Sequence, residues 1–270
     1  MGLKRQRDWF THPRDERLAF NAAAHVYYWD GEPVPISVTG LWESHFPRFD
    51  ADATIDRFFA SWASNPNSKY HALCSYLSMV VGVDAAAQKS AILSLWEAKR
   101  AEAAALGTAM HSAIEADLTG VRAADASVPE LNQYLQWRKE VAADWTLVRA
   151  EWAIYDDGAR VAGMIDSVWQ DGDGRIFIVD WKRIKAGALE RPAYRGETGT
   201  GPCALIKNTT FNHYAVQQHL YAAILKRCYD ITVHGMYLVQ LHPQLRHYRC
   251  VQVPPDVADV AIALLNARCE

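Results

Sequence analysis

Three carboxylates and a lysine near the ends of short apolar runs are the residues of this chain best suited to chemistry. In Ile176-Phe177-Ile178-Val179-Asp180-Trp181-Lys182 the side chains of an extended strand alternate, so Ile176, Ile178, Asp180 and Lys182 share one face. Phe177, Val179 and Trp181 take the other. Both faces are apolar until the end, as in a central strand covered on two sides. An aspartate and a lysine there are costly to bury alone and make sense beside a metal ion or each other. Asp166 stands in a similar apolar run, with Ala162, Met164 and Val168 on its face. Asp171-Gly172-Asp173-Gly174 reads as a turn, and folding the chain about it sets Asp166 opposite about residue 179, close to Asp180. Glu151 lies one hairpin earlier. Three acids and a lysine thus converge on one end of a sheet. Mg²⁺ is typically held by one or two carboxylates plus substrate phosphate, and such a cluster suits metal-activated water attacking a phosphodiester.

The surrounding sequence supplies elements that position these groups. Residues 25–40, HVYYWDGEPVPISVTG, alternate aromatic and β-branched residues around Asp30-Gly31 and read as a hairpin. From Asp50 to about Gly120 the spacing turns helical, with Ile55, Phe58, Phe59 and Trp62 three and four apart and Gly120 as a cap. A further helix follows Ser127, with Glu130 three residues on as a capping box. Strands are expected at 147–155, 160–169 and through RIFIVDWK, then a long aperiodic stretch over 184–210 of the kind that is usually functional or mobile. A helix at 213–228, strands at VHGMYLVQL and HYRCVQV, and a proline-led closing helix complete the chain. The expectation is a single α/β domain over 1–270, with a hairpin and mainly helical extension over 1–100 and a core over 101–270.

Composition narrows the class. The chain has 270 residues, 50% hydrophobic and 22% charged, which excludes intrinsic disorder and collagen or coiled-coil repeats. No apolar run approaches the roughly 20 residues of a membrane helix. The opening MGLKRQRDWF lacks the apolar stretch of a secretory signal, and Gln6 breaks the myristoylation pattern. A soluble intracellular protein is therefore expected, and the five scattered cysteines read as free thiols. Net charge is -3, but residues 181–230 hold eight Lys or Arg against three acids. That segment carries +5 and the remainder -8. A basic stretch after a metal-binding strand suits a phosphate backbone, with Arg183, Lys185, Arg191, Arg195 and Lys207 as the contacts. Lys4, Arg5 and Arg7 read as a disordered tail or a nucleic-acid arm.

Glu151, then Gly163-Met164-Ile165-Asp166, then Asp180-Trp181-Lys182 resembles the PD-(D/E)xK nuclease superfamily. Gly107-Thr108-Ala109-Met110-His111-Ser112-Ala113-Ile114-Glu115 upstream and Gln217-Gln218-His219-Leu220-Tyr221 downstream resemble motifs of its RecB-type and lambda-exonuclease-like branch. The resemblance covers roughly 100–245. It implies a restriction-endonuclease-like core, a mixed central sheet flanked by helices. It also implies a Mg²⁺ or Mn²⁺ ion on Asp166, Asp180, the Trp181 backbone carbonyl and His111, with Glu151 steadying the ion or a water. Lys182 would orient the attacking water, and Gln217 and Tyr221 would steady Lys182 and the phosphate. The function implied is a metal-dependent deoxyribonuclease, with an exonuclease favoured. The rivals are a nuclease-like protein that binds DNA ends without cutting, and an enzyme for a small phosphate ester. Gln217 and Tyr221 also fit a packing stripe with Tyr214 and Leu225, and His111 a local hydrogen bond to Glu115.

Overall fold

The computed structural model describes residues 11–269; Lys4, Arg5 and Arg7 lie outside them. These residues form two compact units, one of 11–47 with 109–269 and one of Arg48–Thr108. The first opens with a small antiparallel sheet, β1 (Leu18–Asn21), β2 (Val26–Trp29) and β3 (Glu32–Pro33). Asp30 and Gly31 both have positive φ, 51° and 86°, the backbone of a tight hairpin turn. The hairpin expected over 25–40 therefore exists but stops at Pro33. Ile36–Ser37 (β4) joins the main sheet instead, and Val38–Glu43 is helix α1. Ser37 starts that helix, its hydroxyl accepting the Gly40 N–H at 3.0 Å.

The main sheet is built on three antiparallel strands, β5 (Thr146–Asp156), β6 (Val161–Gln170) and β7 (Ile176–Arg183). Two helices precede it: α4 (Ala85–Thr119), closed by Gly120 at φ 65°, and α5 (Glu130–Glu140). Helix α6 (Thr210–Tyr229) carries the chain from β7 to β8 (Val233–Leu241), which lies parallel to β7. β9 (Arg249–Gln252) pairs antiparallel with β8, and α7 (Ala258–Asn266) ends the unit. This is a mixed α/β fold whose central sheet has both strand orientations and helices on both faces. One face packs Ile178, Leu238 and Trp152 against α1, α6 and α7. The other packs Phe177, Val179, Trp181 and Val239 against α5 and the end of α4. The capping box at Ser127 does not form: its hydroxyl donates to Asp125 at 2.7 Å, and Glu130 is drawn into an ion pair with Arg183.

The second unit holds α2 (Ala51–Ser64), α3 (His71–Tyr76) and the first part of α4. Asp50 caps α2 by accepting the Ala53 N–H at 2.8 Å. Its core is Ile55, Tyr70, Cys74 and Ile92, with Phe59, Trp62 and Trp96 packed around it. These cuts at 47/48 and 108/109 differ from a boundary near residue 100, because β4 pairs with β6 and ties the segment before Arg48 to the sheet. Among the described residues no helix is long and apolar enough to cross a membrane.

Candidate metal centre

The site begins with a fork beside β6. β5 pairs along one edge of β6, from Val161 to Gln170. The opposite edge is shared: β4 pairs in parallel with Val161 and Ala162, while β7 pairs with Ser167 to Gln170. Between them the ladder is interrupted at 163–166. Asp166 bridges the interruption, its Oδ2 accepting the Trp181 N–H at 2.8 Å in place of a backbone carbonyl. The register Ser167↔Val179 extrapolates to Asp166 facing Asp180, so β7 turns away from β6 just where the acids begin.

Glu151 faces Asp166 on the other edge, between the pairs Ala150↔Ser167 and Trp152↔Ile165. Its φ of 46° is left-handed, a conformation that costs a non-glycine residue of order 1–3 kcal/mol. The two-residue alternation slips at this pair. Trp152 and Ile165 pack with the α6 side, whereas Ala150 packs with the α5 side and Ser167 accepts from the Trp169 indole on that side. Asp166 consequently does not share one continuous face with Ala162, Met164 and Val168: Met164 and Ala162 pack against the N-terminal sheet and Val168 against α6. Like charges set directly opposite across two strands repel. His111 of α4 answers them, its Nδ1 3.6 Å from Glu151 Oε1 and 3.7 Å from Asp166 Oδ2. Burial opposes the imidazolium, yet Asp166 and Glu151 outweigh it and raise the His111 pKa to about 9. No bond joins His111 to Glu115 among the described residues. The ligating atoms of His111, Glu151 and Asp166 lie within 4.8 Å of one another, close enough to share one ion. One nitrogen and two carboxylates make a donor set that accepts Mg²⁺ or Mn²⁺.

Asp180 stands outside that group. Its side chain is 2% exposed and its Oδ2 pairs with Lys182 Nζ at 2.8 Å. Burial lifts its pKa to about 6 against the pull of Lys182. Burial also works against the Lys182 charge, but Asp180 and Asp166 hold its proton more firmly than usual. The ammonium lies 4.5 Å from the Tyr214 ring centre and donates to Gln217 Oε1 at 3.4 Å. Gln217 donates in turn to Tyr221 OH at 3.0 Å and Thr39 Oγ1 at 3.3 Å. Tyr221 reaches this position because residue 163 is glycine. A Cβ there would stand 2.7 Å from the Tyr221 ring and 2.8 Å from Val38. Below the strand end, Trp181 is wedged edge-to-face against Trp137 at 4.9 Å and Tyr134 at 5.3 Å, which fixes the residues on either side of it.

The basic residues divide. Arg183 is held by buried Glu130 at 2.6 Å, so its charge is spent inside the fold. Lys185, Arg191, Arg195 and Lys207 are exposed on the 184–209 connection. That connection is ordered by a Thr198–Lys207 bridge and by the Thr200 N–H on the His45 carbonyl at 2.7 Å. Lys226 and Arg227 pair with Asp230 and Asp156. The role of Thr39 carries no signal in the sequence, and the spacing of Glu130 points to a cap instead, since each acquires its role from a partner more than 50 residues away.

No family model matches the chain, and no curated protein matches it. Among solved structures it is similar to a "Putative exonuclease" from Eubacterium rectale, at 12% identity and a TM-score of 0.38, over 61% of this chain and 64% of that one. It is also similar to SSO0001, at 13% identity and a TM-score of 0.25, over 53% and 57% of the two chains. The chain thus spans less than two thirds of either structure.

Proposed function

We propose that this protein is a divalent-metal-dependent deoxyribonuclease of PD-(D/E)xK type, acting as an exonuclease. The observation that carries the reading is the meeting of His111, Glu151 and Asp166 beside the Asp180–Lys182 pair, at the fork between β6 and β7. His111, Glu151 and Asp166 would hold Mg²⁺ or Mn²⁺, with Asp180 and the Trp181 carbonyl completing the shell. The ion would neutralise phosphate charge and acidify a water when bound. Lys182 orients the attacking water and stabilises charge developing on the phosphorane oxygens. Gln217, fixed by Tyr221 and Thr39, keeps the ammonium turned toward the site. Lys185, Arg191, Arg195 and Lys207 would take the DNA backbone.

End-labelled linear DNA with Mg²⁺ or Mn²⁺ tests this directly. Degradation by the parent chain and its loss in Lys182→Ala and Asp180→Ala are expected; no degradation, or degradation unchanged in both variants, refutes it. One observation favours the DNA-end-binding rival without cleavage: Asp180 is tied to Lys182 rather than grouped with the other three donors. Calorimetry separates the two, since absent Mn²⁺ uptake with DNA affinity retained selects the rival.

A further inference from the structure

The helical unit carries a groove of about 540 Å³ that the proposed reaction does not use. All of its lining residues fall within 48–108. Phe49 lies on it with 72% of its surface exposed, far more than an aromatic ring normally shows to water. Its ring centre is 5.7 Å from that of Trp96. The Trp96 indole is fixed, donating to Tyr70 OH at 2.6 Å, and Tyr70 and Trp62 pack behind it. Three cations line the same groove: Lys69, 4.9 Å from the Tyr70 ring centre, and Lys99 and Arg100 on the α4 face that presents Trp96. Neither Lys99 nor Arg100 has a carboxylate partner among the described residues, whereas Lys89 on the same helix is paired with Asp56 at 2.7 Å. Two carboxylates, Asp52 and Glu97, also line it.

We propose that this groove binds unpaired bases of single-stranded nucleic acid. An exposed ring beside a rigid indole offers a stacking platform, and unpaired cations at its rim supply the charge that the phosphate backbone seeks; stacked aromatics with a basic rim are the means by which single strands are held without sequence readout. The volume falls within the range of ligand sites, roughly 300–1,000 Å³. The two carboxylates disfavour a bare anion and accept hydrogen bonds from the amino groups of base edges. The choice of ligand rests on the nucleic-acid reading of the metal centre; the groove itself does not.

The test uses the full chain in EDTA, where no cleavage occurs, with fluorescence anisotropy of a short fluorescein-labelled DNA single strand. Phe49→Ala, and Lys99→Ala with Arg100→Ala, should each weaken binding at least about fivefold, with Phe49→Tyr close to the parent. The urea midpoint of each variant confirms that it is folded. Unchanged affinity in Phe49→Ala overturns the proposal, as does equal binding of an abasic strand, which would show recognition of charge alone. Binding lost only in Lys185→Ala with Lys207→Ala would also overturn it. A parent that cleaves DNA while Phe49→Ala binds normally sinks this inference and spares the nuclease reading; Phe49-dependent binding by a chain that never cleaves does the reverse.

Discussion

Replacing Gly163 by alanine tests whether the site depends on close packing around β6. The added Cβ would meet Tyr221 at 2.7 Å and Val38 at 2.8 Å, roughly 0.7–1.3 Å short of the 3.5–4.0 Å carbon–carbon optimum on two sides at once. Val38 and Tyr221 are both buried, and Tyr221 is tied to Gln217, so neither moves freely. Overpacking of this kind costs about 1–3 kcal/mol, offset by about 0.4–1 kcal/mol from the stiffer unfolded chain. A net loss of about 1–2 kcal/mol is expected by urea unfolding. At about 2–4 °C per kcal/mol for a chain of this size, the melting temperature should fall by about 2–8 °C. Val38→Ala removes one of the two obstacles, so the double variant should be at least about 0.5 kcal/mol more stable than the sum of the singles predicts. Gly163→Ala matching the parent within about 0.3 kcal/mol, or strict additivity in the cycle, would refute the packing argument.

Glu151→Gly removes both a left-handed side-chain strain and a carboxylate opposite Asp166. It should raise the melting temperature in EDTA while losing the rise that Mn²⁺ gives the parent, and a variant less stable in EDTA contradicts the strain reading. Glu130→Leu strands the Arg183 charge among buried groups and should cost about 3 kcal/mol or more in urea, with Glu130→Leu/Arg183→Met less damaging than the single change. His213 and His219 have pKa values lowered by burial, so folding disfavours their protonation. The contribution of these two histidines is then complete above the unfolded value of 6.5 and declines as pH falls below it. His219→Gln should flatten that decline in the urea midpoint; an unaltered slope rules His219 out.

Much of β7 and α6 was legible because their periods are regular. Alternation over 176–182 separated the face of Asp180 and Lys182 from that of Trp181, and the two faces do pack against different helices. The slip at Glu151 and Asp166 was not legible. It depends on a glutamate adopting φ 46°, which no local pattern announces, and it moves Asp166 out of the face that simple alternation assigns. Ser127 and Glu130 show the converse failure: their spacing suits a capping box, but the pull of a half-buried arginine 53 residues away outweighs a local hydrogen bond. The segment ISVTG reads as strand on composition, yet only two residues find a sheet partner before the Ser37 hydroxyl turns the chain into α1.

The fork at β6 has a consequence for how the chain folds. Its two tines are reached differently: β7 follows β6 through the turn at 171–174 but must also find β8 in parallel across the whole of α6, whereas β4 comes from residues 36–37. Neither the β4 nor the β8 pairing can be set by a local hairpin, and closing such distant contacts costs entropy before it returns any energy. Thr39, His111, Glu151, Asp166, Lys182 and Gln217 therefore share no early intermediate in which they are neighbours. A ligand held by His111 with Glu151 and Asp166 needs the end of α4 docked on the β5–β6 pair, so its uptake during refolding times that long-range closure rather than the formation of any one helix.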